Sequence, residues 1–196
     1  MGHDTLAGPT WPIRMRCIDL LCLVPGDTVL DVGCGSGLNF EPLLERIGRK
    51  GLLIAFEPDA ERHAKAALRA QGLRAQGWRI ELQCARAEDV RLPSRPDAAL
   101  FHYVHGIVRT PRAVTNLLGQ LPAGTRLAMA GTKFFPWWLA PLNVYAWWKN
   151  RGYQVRAHEL HRPWTLVEKH LQGFTWKPTH GGMGYIGSGR VRGAGP

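Results

Sequence analysis

The chain contains no run of eighteen or more apolar residues, so no part of its sequence suits a bilayer-spanning helix. Its start does not pair a basic segment with an apolar stretch and a small-residue cleavage site, so secretion is not expected. The expected location is cytoplasmic, at most peripheral to a membrane. Cysteine is scarce. Cys17, Cys22, Cys34 and Cys84 form no C-x-x-C pair, which argues against a zinc ribbon, a radical-enzyme cluster or a disulfide framework and for reduced thiols. Acidic residues are nearly absent from the second half. Residues 1–100 balance 13 Lys and Arg against 13 Asp and Glu, whereas residues 101–196 set 12 Lys and Arg against only Glu159 and Glu168. At 196 residues the chain is too short for two ordinary domains and long enough for one with a sizeable core.

The basic half also holds six of the eight tryptophans, namely Trp137, Trp138, Trp147, Trp148, Trp164 and Trp176. Positive charge interleaved with aromatic rings suggests an acidic counterpart: a small anionic substrate, a membrane surface or nucleic acid.

The chemistry is concentrated in Val29-Leu30-Asp31-Val32-Gly33-Cys34-Gly35-Ser36-Gly37. This reads as a buried parallel strand with an acidic residue near its end, a glycine loop, and a helix opening at Leu38. Alternate glycines let the backbone turn sharply and approach a ligand closely. Dinucleotide enzymes use the wider spacing G-x-G-x-x-G. Here the spacing is tighter, and DVGCGSG resembles motif I of the class I S-adenosylmethionine-dependent methyltransferases. The resemblance implies an α/β, doubly wound, mostly parallel seven-stranded sheet, with S-adenosylmethionine as cofactor and S-adenosylhomocysteine as product. It assigns Asp31, Gly33, Cys34, Gly35 and Gly37 to the methionyl side of the cofactor.

One domain over residues 1–196 is expected. Its parts are a cofactor-covering helix over 10–24, a cofactor-binding core over 29–131, an acceptor-side helical insertion over 132–172, a closing hairpin over 173–189 and a loose tail over 190–196. Within the first helix, Trp11 or Arg14 would close over the methionine end. The strand Leu52-Leu53-Ile54-Ala55-Phe56 ends in Glu57, about 20 residues past the glycines, where a carboxylate can accept from both ribose hydroxyls. The resemblance gives Glu57 that role and lays Pro58 against adenine. Asp59 is the expected N-cap of the next helix, with Glu61 and Lys65 paired at i,i+4.

Trp78, Ile80, Leu82 and Cys84 alternate as a third strand. The following Arg86-Ala87-Glu88-Asp89 resembles the family's adenine-holding stretch, except that Arg86 stands where many members have Asp. The adenine-facing group is therefore open between Glu88, Asp89 and the backbone of Ala87. Residues 96–102 read as the fourth strand, and Phe101 joins the cofactor-binding set. Ligands of open parallel sheets bind outside the carboxyl ends of the strands. His102, Tyr103 and His105 are accordingly the candidate catalytic residues, with His102 or His105 as general base because histidine titrates near neutrality. His102 and His105, and His158 and His161, are spaced by three without a third ligand, so no metal is expected.

Thr110-Pro111 opens a further helix, and Pro122-Ala123-Gly124-Thr125 resembles the family's turn before strand five, Arg126–Gly131. Beyond Lys133 the sequence is individual. An aromatic segment carrying Trp137, Trp138 and Tyr145 lies between cations, and a helix carrying Leu166, Val167 and Leu171 is expected from Pro163-Trp164. Lys133, Trp137, Trp138, Tyr145 and Arg162 are the candidate acceptor-binding residues, with Lys133, Arg151, Arg156 or Arg162 available to an acidic group.

The resemblance implies methyl transfer, and the one-sided charge with the aromatic segment points to a small-molecule or amphipathic, lipid-like acceptor and to peripheral contact with an anionic membrane surface. The chain lacks the Asn/Asp-Pro-Pro-Tyr/Phe of nucleobase amine methylation and the Pro-Cys of C5-cytosine methylation, having Phe101-His102-Tyr103-Val104 instead. This makes nucleic acid the weaker partner. The alternatives are an RNA methyltransferase and a protein that binds S-adenosylmethionine without transferring its methyl group.

Overall fold

A computed structural model describes residues 10–133 and 162–193. The trio Trp137, Trp138 and Tyr145 falls outside the described residues. Seven strands form one sheet in the order β3-β2-β1-β4-β5-β7-β6. The first five are β1 (Thr28–Val32), β2 (Leu52–Phe56), β3 (Ile80–Gln83), β4 (Ala98–His102) and β5 (Arg126–Thr132). They are mutually parallel, while β7 (Gly184–Val191) runs antiparallel between β5 and β6 (Leu171–Thr179). The doubly wound, mostly parallel fold expected from the sequence is the one observed.

Apolar residues on successive positions of the central strands point to opposite faces, and both faces are covered, as parallel sheets require. Val29, Leu53, Leu100 and Ala128 pack toward one layer: α1 (Trp11–Asp19), α2 (Phe40–Ile47) and α3 (Ala60–Ala75). Leu30, Ile54, Phe101 and Met129 pack toward the other, which includes α5 (Pro111–Gln120) and α6 (Thr165–Glu168). A short α4 (His105–Val108) follows β4. In α2 the i, i+3, i+4, i+7 set Phe40, Leu43, Leu44 and Ile47 is fully buried, each worth about 2 kcal/mol of transfer free energy. Asp59 caps α3 by accepting from the Arg62 N–H at 2.9 Å, and Glu61 pairs with Lys65 at 2.6 Å, as expected.

Several element ends differ from expectation. The first helix stops at Asp19 rather than running to Val24, because Cys22 takes a left-handed φ of 47° and Val24 turns outward. The second helix opens at Phe40, not Leu38, since Gly37 at φ 81° keeps Leu38 in the loop. Strand β4 begins at Ala98 rather than Pro96; Asp97 instead brackets β1, its N–H donating to the Thr28 carbonyl and its carboxylate accepting from the Thr28 N–H. The helix after Trp164 is only one turn, and Leu171 opens β6 instead of extending that helix, because it pairs with Val191 and is buried. The hairpin therefore begins at Leu171, not at 173. Arg190 and Val191 belong to β7 rather than to a loose tail, with Val191 buried and bonded to Gly124 and Thr125.

Candidate functional site

The carboxyl ends of β1, β2, β4 and β5 open onto one cavity of about 490 Å³, within the usual range for small-molecule pockets. Gly33, Glu57, Pro58 and Arg62 wall one end; Tyr103, His105 and Thr132 wall the other.

The glycine loop shapes the first end. Gly33, Gly35 and Gly37 all hold positive φ, at 59°, 58° and 81°. At Gly33 a Cβ would also sit 2.9 Å from Val104 Cγ1 and 3.1 Å from Ile107 Cδ1, so the missing side chain lets α4 close against the loop. Beside Gly35 a Cβ would meet open space, leaving bare backbone for a ligand to lie along. The loop is pinned to the next strand by the Cys34 N–H donating to the Phe56 carbonyl at 3.0 Å. Glu57, buried at the cavity wall, accepts from the Gly35 N–H at 3.0 Å through one oxygen and from the Asp59 N–H at 3.1 Å through the other. Each oxygen keeps a further lone pair, so the carboxylate can still accept from a vicinal diol. Bare loop, strand-end carboxylate and cavity size together fit a nucleoside carrying an amino-acid arm.

Asp31 is fully buried and does not line the cavity. It accepts from Asn39 Nδ2 at 2.8 Å, and Asn39 Oδ1 in turn accepts from Arg14. Burial raises the Asp31 carboxyl to about 7, against the opposing pull of the Asn39 hydrogen bond and the Arg14 charge. Cys34 is buried in the loop, and burial pushes its thiol upward.

At the second end Tyr103 takes φ 57°, reversing the chain after β4. Its ring stands edge-on to His102 at 4.8 Å and to His105 at 5.8 Å between centroids. Gly131 makes room for His105: a Cβ there would come 2.8 Å from His105 Cε1 and 3.0 Å from Tyr185 Cε1. His105 Nε2 lies 3.3 Å from Thr132 Oγ1. His102 is buried beside the cavity rather than on its wall, and neither its Nε2 nor His105 Nδ1 has a hydrogen-bond partner. Burial, with Arg14 and His105 adding to it, lowers His102 to about 3; burial and Arg109 lower His105 to about 4. The expectation that these histidines titrate near neutrality is thereby corrected. Both stay neutral, because their ring nitrogens have lost water without gaining a carboxylate.

The remaining candidates lie outside the cavity wall. Phe101 packs with Val32 and Phe56 in the core on the sheet face away from α1. Trp11 is 40% exposed at the start of α1. Ala87 is buried with its carbonyl taken by Asn116 Nδ2; Glu88 is held below the usual carboxylate range by a backbone hydrogen bond and by Arg86; Asp89 is exposed. Lys133 Nζ lies 5.7 Å from the Trp176 ring centroid, and burial lowers its ammonium; Arg162 faces Glu168 at 3.5 Å. Among the described residues no three His, Cys, Asp or Glu side chains gather as a metal site. Sequence reasoning missed Asn39, Arg62 and Thr132. Of these, Arg62 alone had a signal, since it stands in the first turn of the helix that follows the strand-end Glu57.

A family model described as a methyltransferase domain matches residues 29–121. Aklanonic acid methyltransferase DauC of Streptomyces sp. (strain C5) is 30% identical over 129 residues, covering 63% of this chain and 56% of that protein. The chain thus spans little more than half the length of this curated relative. A SAM-dependent methyltransferase from Aquifex aeolicus superposes with a TM-score of 0.66 at 17% identity, over 96% of each chain. Geranyl diphosphate C-methyltransferase from Streptomyces coelicolor A3(2), solved with S-adenosyl-L-homocysteine, gives a TM-score of 0.71 at 16% identity over 93% of this chain and 80% of its own. At those identities the two structures establish the shared fold.

Proposed function

We propose, on the family match over residues 29–121, that this chain is a class I, S-adenosylmethionine-dependent methyltransferase that transfers a methyl group to a small organic acceptor. The observation that carries the reading is the continuity of one cavity from Glu57 and the glycine loop to Tyr103, His105 and Thr132. Aklanonic acid methyltransferase acts, by its name, on an organic acid, and that supports a small organic acid over a nucleic acid as acceptor.

The bound cofactor supplies a methyl group on a sulfonium, which leaves as a neutral thioether when an acceptor lone pair bonds to the methyl carbon. Glu57 would accept from the ribose diol, and the backbone of Gly33 to Gly37 would hold the carboxypropyl arm. Pro58 packs on the adenine side. Tyr103, His105 and Thr132 form the acceptor wall, excluding water and holding the nucleophile in line with the departing sulfur. His102 and His105 are too weakly basic at about 3 and 4 to accept a proton efficiently at pH 7. Neutral His105, set against Thr132, orients the acceptor by hydrogen bonding, and an acceptor that is already anionic needs no base. Lys133 follows Thr132 at the end of β5, but its ammonium lies over the Trp176 ring and off the cavity wall, so it is not assigned to such an acid.

Calorimetry with S-adenosylhomocysteine, followed by methyl-labelled cofactor and a panel of aromatic carboxylic acids and phenols, tests this. Micromolar binding and labelling of at least one acid or phenol is expected. Binding without labelling, together with labelling of transfer RNA or ribosomal RNA, would replace the small-molecule reading by the RNA one.

A further inference from the structure

Beneath the glycine loop lies a buried polar chain that takes no part in the cavity wall. Arg14, on α1 and 9% exposed, donates from Nη1 to Asn39 Oδ1. Asn39, 3% exposed, donates from Nδ2 to Asp31 Oδ1 at 2.8 Å. The amide satisfies both neighbours in one orientation only, oxygen toward the guanidinium and nitrogen toward the carboxylate. Arg14 Nε and Asp31 Oδ2 have no further hydrogen-bond partner.

The placement of these residues matters more than their burial. Asp31 is the next-to-last residue of β1, where the chain enters the loop; Asn39 immediately precedes Phe40, where the chain leaves it for α2. The Asn39 to Asp31 bond therefore closes the loop across its base. Arg14 brings the counter-charge from 25 positions earlier in sequence. The groups facing Asp31 are Arg14 and Cys17 from α1, Asn39 from the residue before α2, Cys34 from the loop and Glu57 from just past β2. Of these Arg14 is the cation. Without it the buried carboxyl would share its surroundings with Glu57 and two thiols and would favour its protonated form.

We propose that Arg14, acting through Asn39, is a positioning residue for the cofactor: its charge lets an ionised Asp31 hold the two ends of the glycine loop together. Cofactor affinity then depends on a helix that supplies no described wall of the cavity. The inference rests on the reading of Gly33 to Gly37 as the cofactor loop.

The test is S-adenosylhomocysteine affinity by calorimetry from pH 6 to pH 9 on the wild type, Arg14→Met, Arg14→Lys and Asn39→Ser, each checked for a cooperative thermal melt. In the wild type the affinity is fullest when Asp31 is ionised and declines as pH falls through its midpoint. In Arg14→Met that profile moves upward by about one pH unit or more, so binding is at least about fivefold weaker at pH 7 and returns to within about threefold of wild type by pH 9. Arg14→Lys recovers most of the loss, and Asn39→Ser behaves like Arg14→Met. An Arg14→Met affinity within about twofold of wild type throughout, a loss that does not vary with pH, or no recovery by lysine overturns the proposal. Should Arg14→Met fail to melt cooperatively, Asn39→Ser decides by the same profile. Absence of wild-type binding at every pH overturns the cofactor reading itself, and so is distinct from a wild type that binds beside an unaffected variant.

Discussion

The two ends of the cavity are built in different ways. At the β1 and β2 end the geometry is made by backbone: three glycines with positive φ, a carboxylate accepting two main-chain N–H groups, and a loop closed at its base. At the β4 and β5 end it is made by side chains packed on one another, with two imidazole nitrogens left unpaired. A backbone-built site can bind one shape of ligand in chains that share little else. A side-chain-built site changes its preference whenever a packed ring is exchanged, and under the proposed function acceptor choice would be set at this end.

The largest effect that would break this contrast concerns Glu57. Its replacement by alanine removes a buried acceptor of two N–H bonds and should weaken S-adenosylhomocysteine by about a hundredfold, at about 1.5 kcal/mol or more for each charged hydrogen bond. Calorimetry reads it, and a loss below about fivefold would show that the carboxylate is not part of the cofactor end. Next is Gly33→Val, where a β-branched residue must hold φ 59° and press on Val104 at 2.9 Å. It should lower stability by about 3 kcal/mol and cofactor affinity by about tenfold, measured by urea unfolding and calorimetry.

Gly131→Ala sharpens the contrast from the other end. The new methyl meets His105 Cε1 at 2.8 Å, so the ring must move. Stability should fall by about 2 kcal/mol while S-adenosylhomocysteine affinity stays within about twofold, because only the acceptor wall is disturbed. Equal losses of cofactor affinity at Gly33 and Gly131 would erase the distinction between the ends.

The smallest effect is in the acid dependence of stability. His102 and His105 bind protons less readily folded than unfolded, so between their ordinary value near 6.5 and about 3 to 4 the unfolded chain takes up more protons. Their stabilisation is full above that window and is lost as pH falls through it. Asp31, raised to about 7, slopes the other way, with its contribution lost as pH rises from about 4 to 7. Replacing His102 by phenylalanine should therefore flatten the loss of stability between pH 6.5 and pH 4. NMR of the wild-type imidazoles should show both neutral at pH 5.5.

The same division explains what the sequence made legible. Glycine spacing and an acidic strand end follow from chain geometry, and both ends of the β1-loop-α2 unit could be placed within two residues. The strand alternation that fixes the two layers was equally local. The Arg14 to Asn39 link was not, since it joins residues 25 apart through an orientation that no periodicity encodes. Nor could the basicity of His102 and His105 be read, because it is set by burial: both rings stand against Tyr103, and His105 also sits beside Gly131 of β5. Leu171 continues an apolar spacing from Val167, which predicts a helix; its partner Val191 lies 20 residues on, and pairing at that range outweighs helical preference.

The direction of β7 has a practical corollary. It starts beside Thr132, level with the cavity, and descends to Arg190 opposite Arg126, at the amino ends of the parallel strands. Anything fused past Arg192 thus emerges from the far pole of the sheet. A purification handle or a surface tether placed there would sit at the pole opposite the strand ends that line the pocket.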